Sequence, residues 1–198
     1  MLYFLAKYLI GPFILLFWRP RILNRKQLDI KGPAIFVANH ISMWDPVLIA
    51  LVSSRVVHFM AKKEIFEKPM GRWLFRALFA FPINRKTADL ASLRNALALL
   101  KNGKVFGIFP EGKRSVTFAL DEFENGAAFL ALRSNAPLVP IYIHPDSYRL
   151  RRPKMSVGQP LNTAAIVEGI PHSERAEALT AALEAAILEN KARLEAGV

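Results

Sequence analysis

The sequence predicts one α/β domain, an αβ sandwich with a largely parallel central sheet. Short apolar runs of strand length alternate with longer segments of helical periodicity along most of the chain, which is typical of strand–helix–strand units. The 198 residues suffice for one domain with a substantial core but are few for two. We therefore assign residues 27–198 to this domain and residues 1–26 to an N-terminal apolar segment that associates with a membrane.

The N-terminal segment is apolar up to Trp18 apart from Lys7. A straight helix of eighteen residues would be roughly 27 Å long, close to the thickness of a bilayer core. Gly11-Pro12 would break or kink it. The basic residues that follow are Arg19, Arg21, Arg25 and Lys26. An apolar helix followed by cations favours one that lies in, or crosses, an anionic cytoplasmic leaflet; a core helix of a soluble domain is the alternative.

The first half of the domain is predicted to contain strands at residues 34–38, 55–60 and 81–84. Asp45 and Pro46 are favoured residues at the start of a helix, which we expect over residues 45–52. A second helix is expected at residues 64–79. Three cations spaced four apart, Lys68, Arg72 and Arg76, would form one stripe on this otherwise apolar helix. That arrangement favours a position at an interface.

The second half is predicted to contain strands at residues 105–109, 138–143 and 155–161. A helix over residues 88–100 is expected to end at Asn102-Gly103, a favoured helix terminator. Further helices are expected at residues 125–134 and 173–194, the last with Ser173 as its N-cap. This alternation predicts that most neighbouring strands run parallel.

The composition narrows the possible functions. The formal net charge of +11 requires an anionic partner such as a membrane surface, an acidic substrate or a nucleic acid. No basic helix with interleaved aromatics occurs, so we expect no nucleic-acid binding. The chain has no cysteine, and its four histidines do not pair at metal-ligand spacing. We therefore expect neither a metal nor another cofactor.

His40 and Asp45 form the first candidate pair, in the string NHISMWD between the first strand and the first helix. On one helix they would point about 140° apart, but across a strand-to-helix turn the carboxylate can reach the imidazole. A histidine held by a carboxylate keeps one tautomer, so its other nitrogen can take a proton from an alcohol. The alternative is that Asp45 only caps the helix and that His40 is an ordinary loop residue.

The string GIFPEGKRS at residues 107–115 nearly matches the phosphate-binding loop of nucleotide hydrolases. The match fails because Arg114 replaces the hydroxyl residue that holds magnesium. Pro110 also lacks a backbone donor and Glu111 would repel a phosphate, so we do not expect nucleotide hydrolysis. What remains is a turn that presents Lys113 and Arg114. An arginine can grip phosphate through two hydrogen bonds; a solvated basic turn is the alternative.

Further cations complete the candidate residues. Arg85 closes the run at residues 81–85 and could supply a second phosphate ligand, and Lys62 and Lys63 stand ahead of Glu64. Taken singly, each also fits an ordinary surface cation. The chain lacks the G-x-S-x-G nucleophile elbow and the G-x-G-x-x-G dinucleotide fingerprint. A serine hydrolase and a dinucleotide-dependent enzyme are therefore not expected.

These strings, in this order, resemble the four motifs of the glycerolipid acyltransferase family, specifically its bacterial 1-acylglycerol-3-phosphate acyltransferases. The resemblance covers roughly residues 30 to 145. Asn39, His40 and Asp45 match the first motif. Residues 81–85, 109–115 and 139–141 match the other three. Phe79 stands where the second motif often has glycine, and Lys113 where the third usually has threonine. Both departures concern the identity of the acceptor rather than the type of reaction.

The resemblance implies a reaction and a site. A fatty acyl group would move from acyl-CoA or acyl carrier protein to the sn-2 hydroxyl of 1-acylglycerol-3-phosphate, giving phosphatidic acid. His40 would act as the general base and Asp45 would orient it. The residues implied to bind the acceptor phosphate are Arg85, Glu111, Gly112 and Arg114, with Lys62 as a further candidate.

The expected partners are an anionic membrane surface on the cytoplasmic face, the lysophospholipid and the acyl donor. Two other interpretations remain open from the sequence. The enzyme could be an acyltransferase or transacylase that acts on a different lysolipid. The chain could instead be a noncatalytic protein that binds anionic lipid, although binding alone has no use for a base such as His40.

Overall fold

The computed structural model describes residues 2–83, 90–115, 120–149 and 152–197. Within those residues, seven strands form one sheet in the order β1-β7-β6-β2-β5-β3-β4. Neighbouring strands are parallel except for the antiparallel pair β6 and β7. The strands are β1 Arg21–Leu23, β2 Ala34–Ala38, β3 Val57–Lys62, β4 Ala80–Ile83, β5 Val105–Ile108, β6 Leu138–Ile143 and β7 Lys154–Val157. The predicted α/β fold with a largely parallel sheet is confirmed.

Eight α-helical segments lie in the described residues. They are α1 Leu2–Leu5, α2 Gly11–Trp18, α3 Asp45–Val52, α4 Pro69–Ala77, α5 Leu90–Lys101, α6 Gly126–Ser134, α7 Thr163–Ile166 and α8 Arg175–Ala196. Short 3₁₀ turns occur at Arg25–Leu28, Lys63–Phe66 and Pro145–Ser147. Most predicted elements therefore lie within about two residues of their expected positions, the usual uncertainty at element ends.

Both faces of the sheet are buried. Alternate residues of β2 point to opposite faces, so that Ile35 joins one apolar cluster and Phe36 the other. Residues of α5, α6 and α8 complete the first cluster. Residues of α3 complete the second, with Leu15 and Trp18 of α2 packed against it. This burial explains why β2 is apolar throughout, as expected of an interior strand in a parallel sheet.

The N-terminal helix is not interrupted at Gly11-Pro12. A π-helical segment, Ala6–Ile10, joins α1 to α2, and the Gly11 N–H bonds the carbonyl of Ala6. A π turn lengthens the hydrogen-bonded loop and thereby accommodates the proline, which has no N–H to donate. In the described part of the chain, no helix combines the length and apolar character needed to cross a bilayer.

Strand β1 lies inside the segment that we assigned to residues 1–26, and it pairs with β7 at the edge of the sheet. Its three residues, Arg21–Leu23, are too few to be predicted as a strand from the sequence. The division of the chain at residue 26 stays a prediction.

Three predicted elements differ in the structure. The last predicted strand, at residues 155–161, already ends at Val157. The expected helix over residues 64–79 is divided into a 3₁₀ turn and α4, because Lys68 precedes Pro69 and takes an extended conformation (ψ 133°). The prediction that Ser173 caps the last helix is wrong. Ser173 lies inside a turn that is closed by a hydrogen bond from the Glu174 N–H to the Pro171 carbonyl. Helix α8 therefore begins only at Arg175.

Candidate active site

The candidate residues follow strands that end at the same edge of the sheet. His40 comes two residues after β2, and Glu111 three residues after β5. Lys62 is the last residue of β3. In a parallel sheet the carboxyl ends of neighbouring strands meet at one edge, where ligands bind in open α/β sheets. The topology therefore gathers residues that lie as far as 71 positions apart in the chain.

His40 and Asp45 contact each other across the turn between β2 and α3. The His40 Nδ1 lies 2.8 Å from Asp45 Oδ2, and the carboxyl group is fully buried. The same oxygen accepts hydrogen bonds from the backbone N–H of Ile41 at 2.8 Å and of Ser42 at 2.7 Å. Because these donors stabilise the carboxylate, the imidazole places its proton on Nδ1 and leaves Nε2 as the atom that can accept one.

The carboxylate of Asp45 does not cap α3. The helix begins at Asp45 itself with Trp44 as N-cap, and no side-chain bond closes the N-terminus. Instead the side chain turns back to the three donors of the preceding turn. Because Pro46 has no N–H to donate and fixes the helical backbone there, the first turn needs less capping than an ordinary helix start. The alternative in which Asp45 only caps the helix does not describe this geometry.

The loop after β5 holds the backbone of His40 on both sides. The Glu111 carboxyl oxygen Oε1 accepts from the His40 N–H at 3.3 Å, and the Ser115 N–H donates to the His40 carbonyl at 2.8 Å. The imidazole ring stacks on Phe109, with ring centroids 4.1 Å apart and planes inclined by 18°. His40 therefore sits in a fixed orientation with only 8% of its surface exposed.

Asn39 fixes the end of β2 against β6. Its side chain donates to the Ile143 carbonyl at 2.9 Å and accepts from the Ile143 N–H at 2.7 Å, a pair that extends the ladder beyond the last strand residue. The sequence placed Asn39 in the motif without giving it a role. The feature of the sequence that could have indicated this role is an asparagine directly after a strand. A side-chain amide can replace one backbone donor and one backbone acceptor.

Glu111 occupies an unfavourable electrostatic environment. Burial raises the pKa of its carboxyl group to about 7, with further contributions from the negative charges of Asp121 and Asp45. The hydrogen bond from the His40 backbone and the charge of Lys113 act in the opposite direction. Glu111 therefore changes charge near neutral pH while its carboxyl supports His40. Its assignment to the phosphate site stays a prediction.

Gly112 allows the turn after Glu111. Its φ of +66° lies in the left-handed region, and a Cβ atom there would lie 2.7 Å from the Glu124 carboxylate oxygen Oε1. Beyond it, Lys113 is exposed and lies 4.0 Å from Asp121, and Arg114 is also exposed. The loop thus presents two cations to solvent beside the buried His40.

Gly107 is explained by packing. A Cβ atom at this position would lie 2.2 Å from the ring of Phe59, so only glycine lets that ring lie flat on β5. The Phe59 ring in turn stacks on Phe109, which supports His40. The glycine that made this string resemble a nucleotide-binding loop therefore serves the aromatic stack beneath the imidazole.

The structure gives less information about the two remaining candidate cations, Lys62 and Arg85. The Lys62 side chain is 53% exposed and its Nζ lies 3.1 Å from Glu64. Arg85 lies outside the described residues. In the four described ranges, no group of three histidine or carboxylate residues is arranged to hold a metal ion.

Phe79 adopts the left-handed conformation, with φ of +60°. Glycine accepts this conformation without strain, which agrees with the glycine that the motif often carries here. The phenyl ring packs against Tyr3 of the N-terminal helix, with centroids 5.2 Å apart, and against His58 at 5.3 Å. This departure from the motif therefore anchors the N-terminal helix to the start of β4.

Comparison with known proteins shows which family the chain resembles. The family model described as Acyltransferase matches residues 19–144. The 1-acyl-sn-glycerol-3-phosphate acyltransferase of Bacillus subtilis is 30% identical over 86% of this chain and 88% of its own length. The protein of the same name from Streptococcus pneumoniae is 30% identical over 67% of this chain and 51% of its own length.

A solved structure shares the fold. The crystal structure of the 1-acyl-sn-glycerophosphate (LPA) acyltransferase from Thermotoga maritima matches with a TM-score of 0.69 at 22% identity. The match covers 95% of this chain and 82% of that one. The family match extends over the β2–α3 turn, the loop after β5 and most of the parallel sheet, and on this evidence the chain belongs to the acyltransferase family.

Proposed function

We propose that His40, held by Asp45, is the general base with which this chain acylates lysophosphatidic acid. The reaction is the transfer of a fatty acyl group to the sn-2 hydroxyl of 1-acylglycerol-3-phosphate, which gives phosphatidic acid for phospholipid biosynthesis. The observation that supports the proposed base is the 2.8 Å contact between His40 Nδ1 and Asp45 Oδ2, because it leaves Nε2 ready to take the hydroxyl proton.

The proposed step is a direct transfer within a ternary complex. Nε2 of His40 takes the proton of the acceptor hydroxyl as its oxygen forms a bond to the thioester carbonyl carbon. The carbon–sulfur bond then breaks, and the imidazolium returns the proton to the departing thiolate. A direct transfer without a covalent acyl intermediate fits a chain that has no cysteine and no G-x-S-x-G serine motif.

The acceptor phosphate is proposed to bind the exposed cations beside the base. Arg114 is the main ligand, with Arg85 and Lys62 as further ligands and the backbone at Gly112 shaping the turn. Glu111 belongs to this group through its hydrogen bond to the backbone of His40, which ties the loop to the base. Binding the phosphate would hold the hydroxyl near Nε2, and such positioning alone can accelerate a reaction substantially.

The enzyme is proposed to work on an anionic membrane surface at the cytoplasmic face, where its lysolipid substrate resides. Large apolar side chains are exposed on α2, on α4 and on the turn before α3: Phe13 is 70% exposed, Met70 80%, Trp73 64% and Met43 67%. The net charge of +11 adds attraction to anionic headgroups. The same charge suits an acyl donor carried by coenzyme A or by an acidic carrier protein.

The test is an acyl-transfer assay in vesicles that contain lysophosphatidic acid, with acyl-CoA and, separately, acyl carrier protein as donor. Wild type, His40→Ala and His172→Ala would be compared, since His172 is exposed and lies outside the site. We expect phosphatidic acid from wild type and from His172→Ala, and a 10²- to 10⁴-fold lower rate from His40→Ala. Near-normal turnover in folded His40→Ala would reject the base, and product only from other lysolipids would reject the acceptor.

Membrane binding is tested separately by flotation with anionic and neutral vesicles. The double variant Phe13→Ser/Trp73→Ser should bind anionic vesicles more weakly than wild type. Leu188→Ser is the matched control, because Leu188 is 46% exposed on α8. The proposed surface would be contradicted if Phe13→Ser/Trp73→Ser bound anionic vesicles as strongly as wild type and Leu188→Ser do.

A further inference from the structure

Two buried polar atoms without a hydrogen-bond partner belong to Asp45 and to a tyrosine that interacts with it. They are Oδ1 of Asp45 and the hydroxyl oxygen of Tyr148, two of the four such side-chain atoms in the described residues. The other Asp45 oxygen accepts from three donors, so the carboxylate is satisfied on one side only. Buried polar atoms are rarely left unpaired, and an unpaired carboxylate oxygen therefore needs an explanation.

The position of Tyr148 is fixed by a well-bonded turn after β6. The Ser147 side chain donates to the Lys154 carbonyl at 3.1 Å and accepts from its N–H at 3.0 Å, which ties the turn to β7. The Tyr148 ring packs edge-on against Trp18, with centroids 5.8 Å apart. Trp18 makes a similar contact at 5.7 Å with Trp44, the neighbour of Asp45. Two independent contacts therefore hold the phenol beside the start of α3.

The electrostatics at Tyr148 identify the group that its hydroxyl faces. Burial raises the pKa of the phenol far above its usual range, and the charge of Asp45 and its interaction with the hydroxyl raise it further. The hydroxyl thus remains a donor at every physiological pH. In the structure the two groups are close enough to interact but do not meet hydrogen-bond geometry.

We propose that Tyr148 is a positioning residue of the acyltransferase reaction, whose hydroxyl donates a hydrogen bond to Oδ1 of Asp45. A small rotation of the phenol or the carboxyl group completes this bond in the working enzyme. The carboxylate then has donors on both oxygens, which fixes its plane and keeps Oδ2 on His40 Nδ1. This inference rests on the proposed role of His40 as the general base.

The bond has a predictable effect on the pH dependence of the reaction. A donor on Oδ1 stabilises the anionic carboxylate, so removing it makes the His40–Asp45 pair bind a proton more tightly. Among the described residues, Glu111 is a further titratable group that faces the pair, with the Lys113 and Asp121 charges beyond it. These groups are the same in wild type and in a variant that changes only Tyr148. A difference between the pH profiles of the two proteins therefore reports the effect of the Tyr148 hydroxyl.

The test compares Tyr148→Phe with wild type. Phenylalanine keeps the ring that contacts Trp18 and removes only the hydroxyl. We expect kcat to fall about 3- to 30-fold with KM for lysophosphatidic acid within about twofold, as for a lost bond to a charged group. The acid limb of the profile of kcat/KM against pH should move up by about half to one unit. Tyr142→Phe is the control, since Tyr142 is a buried tyrosine of β6 in the opposite core cluster.

An unchanged kcat and an unchanged acid limb in Tyr148→Phe would overturn the proposal, as would a lower kcat with an unmoved limb, which indicates packing alone. A second measurement uses the double variant Asp45→Asn/Tyr148→Phe, which should lose no more activity than Asp45→Asn. Losses that multiply would also overturn the inference. His40→Ala in the same assay separates the two claims: if it is active, the proposed base fails, and if only Tyr148→Phe behaves as wild type, the inference fails alone.

Discussion

The two sides of the candidate site differ in how firmly they are held. On the side of the base, His40 is 8% exposed and Asp45 is fully buried, and backbone hydrogen bonds, a side-chain contact and an aromatic stack fix the imidazole. On the cationic side, Arg114 is exposed and the Lys62 and Lys113 side chains are 53% and 74% exposed. The proposed base is therefore part of the core, whereas the described candidate cations lie on the exposed rim of the site.

The difference follows from what each side has to do. Proton transfer requires a nitrogen at a defined distance and angle, so the base must be in place before the substrate arrives. A phosphate carries charge on several oxygens and can be bound by long cationic side chains that become ordered around it. Changes at the base should therefore lower kcat, whereas changes at the rim should raise the KM of the acceptor.

The largest expected effect is that of Asp45→Asn. The neutral amide stabilises neither the Nδ1–H tautomer nor the imidazolium, so we expect kcat to fall about 10²- to 10⁴-fold. Steady-state kinetics with lysophosphatidic acid measures this, with Asp29→Asn as the control because Asp29 is an exposed carboxylate that bonds Ser54. A folded variant with nearly normal kcat would show that the buried carboxylate is only structural.

Removing a rim cation should affect binding instead. Arg114→Ala is expected to raise the KM for lysophosphatidic acid about 10- to 100-fold, the loss expected for hydrogen bonds to a charged group. The KM of the acyl donor and kcat should change much less. Arg94→Ala, an exposed arginine of α5, is the control. An unchanged acceptor KM would remove Arg114 from the phosphate site and would weaken the contrast between the two sides.

Glu111 links the cationic loop to His40, and replacing it should change the free energy of unfolding. Its folded-state pKa of about 7 exceeds the ordinary glutamate value of 4.5, so between these two pH values the folded protein keeps a proton that the unfolded chain has lost. The contribution of this group to the free energy of unfolding is therefore largest below pH 4.5 and declines as the pH rises to about 7. Glu111→Gln removes that decline, so the variant should gain up to about 3 kcal/mol over wild type between pH 5 and pH 8.

Urea unfolding of both proteins at a series of pH values measures this difference. The other titrating groups are common to the two chains and cancel in the comparison. A difference that does not vary with pH would mean that Glu111 has an ordinary carboxyl group, and that it does not couple the rim to the base.

The smallest expected effect is that of Gly112→Ala. Alanine is strained at φ +66°, and its methyl group would meet the Glu124 carboxylate, so we expect a loss of about 1–2 kcal/mol in the free energy of unfolding. Gly103→Ala is a matched control, because Gly103 has a φ of +68° with nothing within 4 Å of a Cβ atom. Equal losses in the two variants would show that contact with Glu124 contributes nothing.

Much of this arrangement was predictable because it is local in sequence. The β2–α3 turn contains both members of the proposed catalytic pair within six residues, and apolar runs mark β2, β5 and β6. Contacts between distant residues were not predictable. The bond from the His40 N–H to Glu111 joins positions 71 apart, and the bonds of Asn39 to Ile143 join positions 104 apart. No local pattern encodes such pairs, since they depend on the order of the strands in the sheet.

The misjudged elements have causes that the periodicity of apolar residues does not reveal. The π-helical segment before Gly11-Pro12 and the break before Pro69 both depend on how the backbone adapts to a proline without an N–H. Strand β1 forms only because β7 offers an edge with which to pair. In each case tertiary structure or backbone geometry outweighed the pattern of the side chains.

The central claim is that His40 and Asp45 act as one preorganised unit, and a double-mutant cycle tests it most directly. The rates of acyl transfer to lysophosphatidic acid would be measured for His40→Ala, Asp45→Ala and the double variant. Because Asp45 acts only through His40, we predict that the double variant is no slower than His40→Ala to within a few-fold. Losses that multiply in the double variant would contradict the account, because the two residues would then contribute independently.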